Sequence, residues 1–140
     1  MDKMGRTRNM TGSMGLYHVC LKLSELAWHV QVKKTNANSP NKGWCWRHKQ
    51  KRISFETHGV GGKSPIQLYK RPRSIRSDFV IMVTELDSAA PVCYLLSNSE
   101  AKMAGQTNSD GTQFLNPKAY AKEEFREQWD KLETYSMLFR

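Results

Sequence analysis

The sequence predicts one α/β domain built on a central mixed sheet of about five strands flanked by helices. Three observations carry this expectation. Apolar residues recur at helical spacing near the beginning and end of the chain, apolar and polar residues alternate with period two in stretches between them, and two dense apolar runs have the character of strands buried on both faces. A length of 140 residues suits a single core that needs neither disulfide nor structural metal. The 39% apolar content, with four Trp, five Tyr and five Phe, sets the chain apart from disordered sequences.

Residues 1 to 12 are basic and rich in Gly and Met without periodicity, so they read as a flexible arm preceding the domain at residues 13 to 140. Ser13 is a plausible N-cap for a first helix, in which Leu16, Val19, Cys20, Leu23, Leu26 and Ala27 fall on one side. Trp28, Val30 and Val32 alternate with His29, Gln31 and Lys33 as a half-buried strand. After the turn-rich residues 35 to 43, alternation resumes in WCWRH at 44 to 48 and RISFET at 52 to 57, predicting a hairpin through Lys49 to Lys51.

HGVGGKSP at 58 to 65 and the basic stretch through Lys70, Arg71, Arg73 and Arg76 read as loops. The runs FVIMV at 79 to 83 and VCYLL at 92 to 96 should pair as central strands. Ser97 and Glu100 form a capping box for a short helix ending at Gly105. A polar loop then leads to Asn116 and Pro117, which open a final helix with Phe125, Trp129 and Leu132 on one face.

Charge divides the chain unevenly. Residues 1 to 80 hold 16 Lys and Arg against 4 Asp and Glu, whereas residues 81 to 140 hold 6 against 9. Such asymmetry suits a basic surface for a polyanion, although a basic surface can also serve solubility alone. No run has the length of a membrane helix and the first residues lack an apolar signal core. The three cysteines, odd in number and widely spaced, suit a reducing compartment. The expectation is a cytoplasmic protein without membrane contact.

The order of elements and several local strings resemble the PD-(D/E)xK nuclease superfamily, in particular its small endonuclease and resolvase-like branches. The resemblance spans roughly residues 11 to 132 and rests on TGSMG-x-Y-x-V at 11 to 19, AWHV at 27 to 30, DFVIMV at 78 to 83, PVCYLL at 91 to 96 and FREQWD at 125 to 130. It implies a restriction-endonuclease-like fold, DNA as the substrate class, and a capacity to form homodimers. It also implies Mg²⁺ held by acidic side chains, with a Lys near the nucleophile. On this alignment the family's acidic and lysine positions fall at Leu16, near Cys45, and at Glu56-Thr57-His58, so that only Glu56 keeps its chemical type. Asp78, Glu85 or Lys63 could enter under a shifted alignment. A surviving activity would use Glu56 and His58, the latter as general base, with Mg²⁺ as cofactor; without activity no cofactor is expected.

Other constellations are weaker. Cys45 and His48, with His18 and Cys20, could in principle assemble a zinc site, but the spacings match no standard zinc module. GVGGKS at 59 to 64 lacks the spacing of a phosphate loop. No nucleophile elbow is present.

The nucleic-acid reading rests on Lys33, Lys34, Lys42, Arg47, Lys49, Lys51, Arg52, Lys63, Lys70, Arg71, Arg73 and Arg76, interleaved with Trp44 and Trp46. The two tryptophans could instead share a strand face that fills the core. Three functions follow: a catalytically silent nuclease-like protein that binds nucleic acid, DNA rather than RNA; an active metal-dependent endonuclease with a rearranged site; or a small inhibitor or adaptor of the kind phages encode, binding a nucleic-acid-processing complex such as a defence nuclease.

Overall fold

The computed structural model describes residues 5 to 33, 41 to 69 and 75 to 138. It is an α/β fold whose central sheet has five strands: β1 (His29–Lys33), β2 (Asn41–Trp46), β3 (Ile53–Gly59), β5 (Phe79–Thr84) and β6 (Val92–Ser97). They run in the order β1-β2-β3-β5-β6, antiparallel except where β3 and β5 pair in parallel. A small second sheet of β4 (Ile66–Tyr69), β7 (Gln106–Thr107) and β8 (Gln113–Leu115) was not foreseen from sequence. Its strands are too short to display a period: β4 falls within the span between the predicted loops, and β7 and β8 within the polar loop before Asn116.

Two apolar clusters sandwich the central sheet. Ile53, Phe55, Phe79, Ile81, Val83, Cys93 and Leu95 face helix α1 (Arg8–Glu25), which contributes Leu16, Val19 and Leu23. Val80, Met82, Tyr94 and Leu96 face the second sheet through Ile66, Leu68 and Leu115. Every residue of β5 is buried, as its unbroken apolar run predicts. Helix α1 lies unusually close to β3, because glycines meet there: a Cβ on Gly59 would stand 2.7 Å from the Thr11 carbonyl oxygen, and one on Gly15 would stand 3.1 Å from Gly59 Cα.

Two expectations need correction. The first helix starts at Arg8, with Thr7 as N-cap accepting from the Met10 amide, so Ser13 is interior and residues 8 to 12 are helix rather than arm. The final helix is broken into α3 (Pro117–Tyr120) and α4 (Asp130–Leu138). Phe125 belongs to the cluster under the second sheet, whereas Leu132 belongs to the cluster under α1, with Trp129 against it. One straight helix cannot serve both faces of a sheet. The chain instead crosses the β6 edge as a strap built on a turn, in which the Phe125 and Arg126 amides donate to Lys122 O, while the Leu95 amide donates to Phe125 O at 2.9 Å and the Glu127 amide to Cys93 O at 2.8 Å. Glu127, at φ 50°, makes the bend and accepts from the Cys93 amide and the Trp129 indole.

Between β6 and β7, α2 (Asn98–Ala104) carries the expected capping box, in which Ser97 and Glu100 exchange side chain to backbone bonds and Gly105 ends the helix. Among the described residues no helix is long and apolar enough to cross a membrane.

Candidate nucleic-acid interface

Register decides which side chains share a face of the sheet. His29 pairs with Trp46, Gln31 with Trp44, and Lys33 with Lys42; across β2, Trp44 pairs with Ser54 and Lys42 with Glu56. Directly opposed residues project to the same side. All of these lie opposite α1, whereas Cys45, Ile53 and Phe55 project toward it. The two tryptophans thus share a face, but not the one under α1. A Cβ on Gly43 would already meet the Phe55 ring at 2.7 Å, so this inner side of β2 has room for Gly43 and Cys45 and none for indoles.

The outer face of β1 and β2 is therefore aromatic and cationic. Trp44, Trp46 and Lys42 are half-buried there, and His29, Gln31, Lys33 and Arg52 are exposed. The His29 ring stacks on Trp46 at 5.5 Å between centroids. The Arg52 guanidinium lies 4.4 Å from the Trp46 ring centre and donates to the Gln31 side-chain oxygen at 2.9 Å. These contacts hold Trp46 flat and Arg52 extended, which reduces the entropy lost when a ligand stacks on them.

The predicted cations do not all gather there. Lys33, Lys42 and Arg52 share the platform. Lys49 and Lys51 occupy the β2–β3 turn at one end of it, and exposed Arg76 precedes β5 at the same end of the sheet. Arg47 turns to the opposite side: it lies over Trp28, donates to the Leu26 carbonyl at 2.6 Å and pairs with Glu133 at 3.1 Å. Lys63 follows β3 at the other end of the sheet. Lys34, Lys70, Arg71 and Arg73 lie outside the described residues. Sequence reasoning missed His29 and Gln31, whose only signal was their alternation with Val30 and Val32.

The positions aligned with catalytic ligands do not converge. Leu16 and Cys45 are buried on the α1 side, while Glu56 and His58 project to the other. Burial raises the Cys45 thiol to about 12, which keeps it protonated. Glu56 is completely buried and accepts from His58 Nε2 at 2.8 Å. Asp78 is engaged at the start of β5 by the Ser54 amide and hydroxyl and by the Tyr135 hydroxyl. Glu85 lies past the far end of the same strand. Magnesium requires several oxygen ligands around one point, and the residues at these positions do not fit it. The zinc candidates are also dispersed, with Cys45 in the core and His48 exposed in the β2–β3 turn. No group of three His, Cys, Asp or Glu among the described residues could hold a metal ion.

At the end of the sheet remote from the β2–β3 turn, a cleft of about 900 Å³ opens between the start of α1, the end of β3 and the second sheet. His58 lines it, with Glu56 behind as the acceptor for the imidazole. No protein-family model, curated protein or solved structure matches this chain.

Proposed function

We propose that the protein binds single-stranded nucleic acid, DNA in the first instance, across the outer face of β1 and β2, and that it does so without cleaving it. The observation that carries this is the pairing of Trp44 and Trp46 with Lys33, Lys42 and Arg52 on one accessible sheet face. Flat aromatic surfaces stack on unpaired bases of any sequence, while cations two or three residues away follow the phosphates. A duplex, whose bases are already stacked, would use only the cations. Binding without cleavage is favoured because Glu56 stands on the opposite face from Leu16 and Cys45, so the aligned positions cannot form one acidic cluster.

Fluorescence anisotropy with a labelled oligonucleotide bearing a 5′-hydroxyl tests the reading. Affinity should fall steeply as salt rises from about 50 to 200 mM. Replacing Trp44 and Trp46 together by Ala should cost about 2 kcal/mol, roughly thirtyfold in Kd, for each base that loses its stacking partner. Lys33→Glu with Lys42→Glu should weaken binding and flatten the salt dependence. Plasmid incubated with protein and Mg²⁺ or Mn²⁺ should remain intact. Binding indifferent to salt and to both tryptophans would sink the proposal.

A further inference from the structure

We infer that the cleft between the start of α1 and the second sheet is a binding site for a nucleoside monophosphate, either free or as the 5′-phosphorylated end of a strand. This does not rest on the sheet-face reading, since none of the platform side chains lines the cleft.

Charge is the first argument. The protein has 13 Asp and Glu, yet none of them is among the described residues that line the cleft, whereas Arg6, Arg8 and His58 are. Arg6 is tied to Asp87, which is not a lining residue, so Arg8, exposed at the first position of α1, is the cation offered to a ligand. The second argument is the helix itself. Helix α1 has 18 residues and no acid in its first turn. Thr7 takes the Met10 amide with its hydroxyl and the Thr11 amide with its carbonyl. The amides of Arg8 and Asn9 precede Thr11, the first amide with an acceptor four residues earlier, and a phosphate there would gain both donors and the favourable end of the helix dipole.

A third observation is independent of the helix. Thr57, 2% exposed, also lines the cleft, and its hydroxyl has no hydrogen-bond partner. Buried polar atoms are rarely left so, and an unsatisfied one at a cleft wall marks a place where a ligand or water completes the bonding. His58 adds a polar ring whose Nε2 is fixed by Glu56, leaving Nδ1 as its second hydrogen-bonding atom. The opposite wall supplies what a base would need, the half-buried ring of Phe114 with the side-chain amides of Gln67 and Asn108. The volume lies in the range of small-molecule sites and exceeds what a lone phosphate would fill.

The test is a titration of the isotope-labelled full chain, followed by amide chemical shifts, with adenosine monophosphate, adenosine, inorganic phosphate and a 5′-phosphorylated dinucleotide. The monophosphate should bind at least tenfold more tightly than adenosine or inorganic phosphate, with shifts at Thr7 to Thr11 and Thr57 to Gly61. Tighter binding of the dinucleotide than of the monophosphate identifies a strand end, and the reverse identifies a free nucleotide. Arg8→Glu should weaken the monophosphate at least tenfold while the exposed, charge-matched Lys102→Glu leaves it unchanged. An acid at the first helical position favours the helix, so lost binding in Arg8→Glu is not lost folding. Equal affinity for adenosine and its monophosphate, no response to any ligand, or indifference to Arg8→Glu would overturn the inference. The 5′-hydroxyl oligonucleotide, run on the same variant, reports the sheet face separately.

Discussion

Thr57 stands near the end of β3 with an enclosed hydroxyl that neither donates nor accepts. An unmet buried polar group costs roughly 1 to 3 kcal/mol, and Val has nearly the same shape and suits a strand better. Thr57→Val should therefore raise the stability of the ligand-free protein by about 1 kcal/mol, or about 4 °C in Tm by calorimetry. A second residue of this kind is His18 on α1, whose Nε2 is buried without a partner. Burial, aided by the charge of Lys22, holds its pKa below the ordinary 6.5. Such an imidazole is neutral in the fold and charged when the chain unfolds, so its contribution is complete above pH 6.5 and declines as pH drops below that value. Thermal melts at successive pH values should show the wild type losing more than His18→Gln between neutral and mildly acidic solution. The residue scale also shows where sequence reading stops. That Trp44 and Trp46 share a face was legible from their spacing, but which face was not, because the choice depends on Phe55 filling the space beneath Gly43 from a neighbouring strand.

At the scale of elements, β5, β6, α2 and the β2–β3 hairpin were all legible, since each declares itself through a local pattern: an unbroken apolar run, a capping box, or alternation around a turn. Helix α1 was legible in its apolar face and not in its start. Arg8, Asn9 and Met10 carry no periodic signal, and the helix extends over them because Thr7 caps it. The tight seat of α1 on β3 depends on backbone meeting backbone at Gly15 and Gly59. Gly59→Ala would drive a methyl to within 2.7 Å of the Thr11 carbonyl and 2.9 Å of Leu86 Cδ1. The helix must then lift, and destabilisation of about 2 kcal/mol is expected from denaturant titration. Unchanged stability would mean that α1 is free to shift at little cost.

Across the whole molecule, the division of labour between the two sheet faces was the least accessible to sequence. Phe125, Trp129 and Leu132 fit one helical stripe, and only the edge of β6 reveals that the first serves one core and the last the other. The functional candidates divide by the same geometry: Arg47, read with the other cations, is drawn to Glu133 on the α1 side, while Arg52 stays with Trp46 on the platform. Leu132→Ala should remove about 3 kcal/mol, as expected for a fully buried Leu, and because the strap ties both cores to one edge, both should loosen together. Hydrogen exchange would check this, with faster exchange expected in Phe125 contacts as well as in α1. The strap also bears on synthesis. The layer under the second sheet lacks its last member until Phe125 has left the ribosome, and the layer under α1 lacks Leu132 for seven residues more, so the nascent chain exposes both half-built layers to chaperones until nearly all of it has emerged.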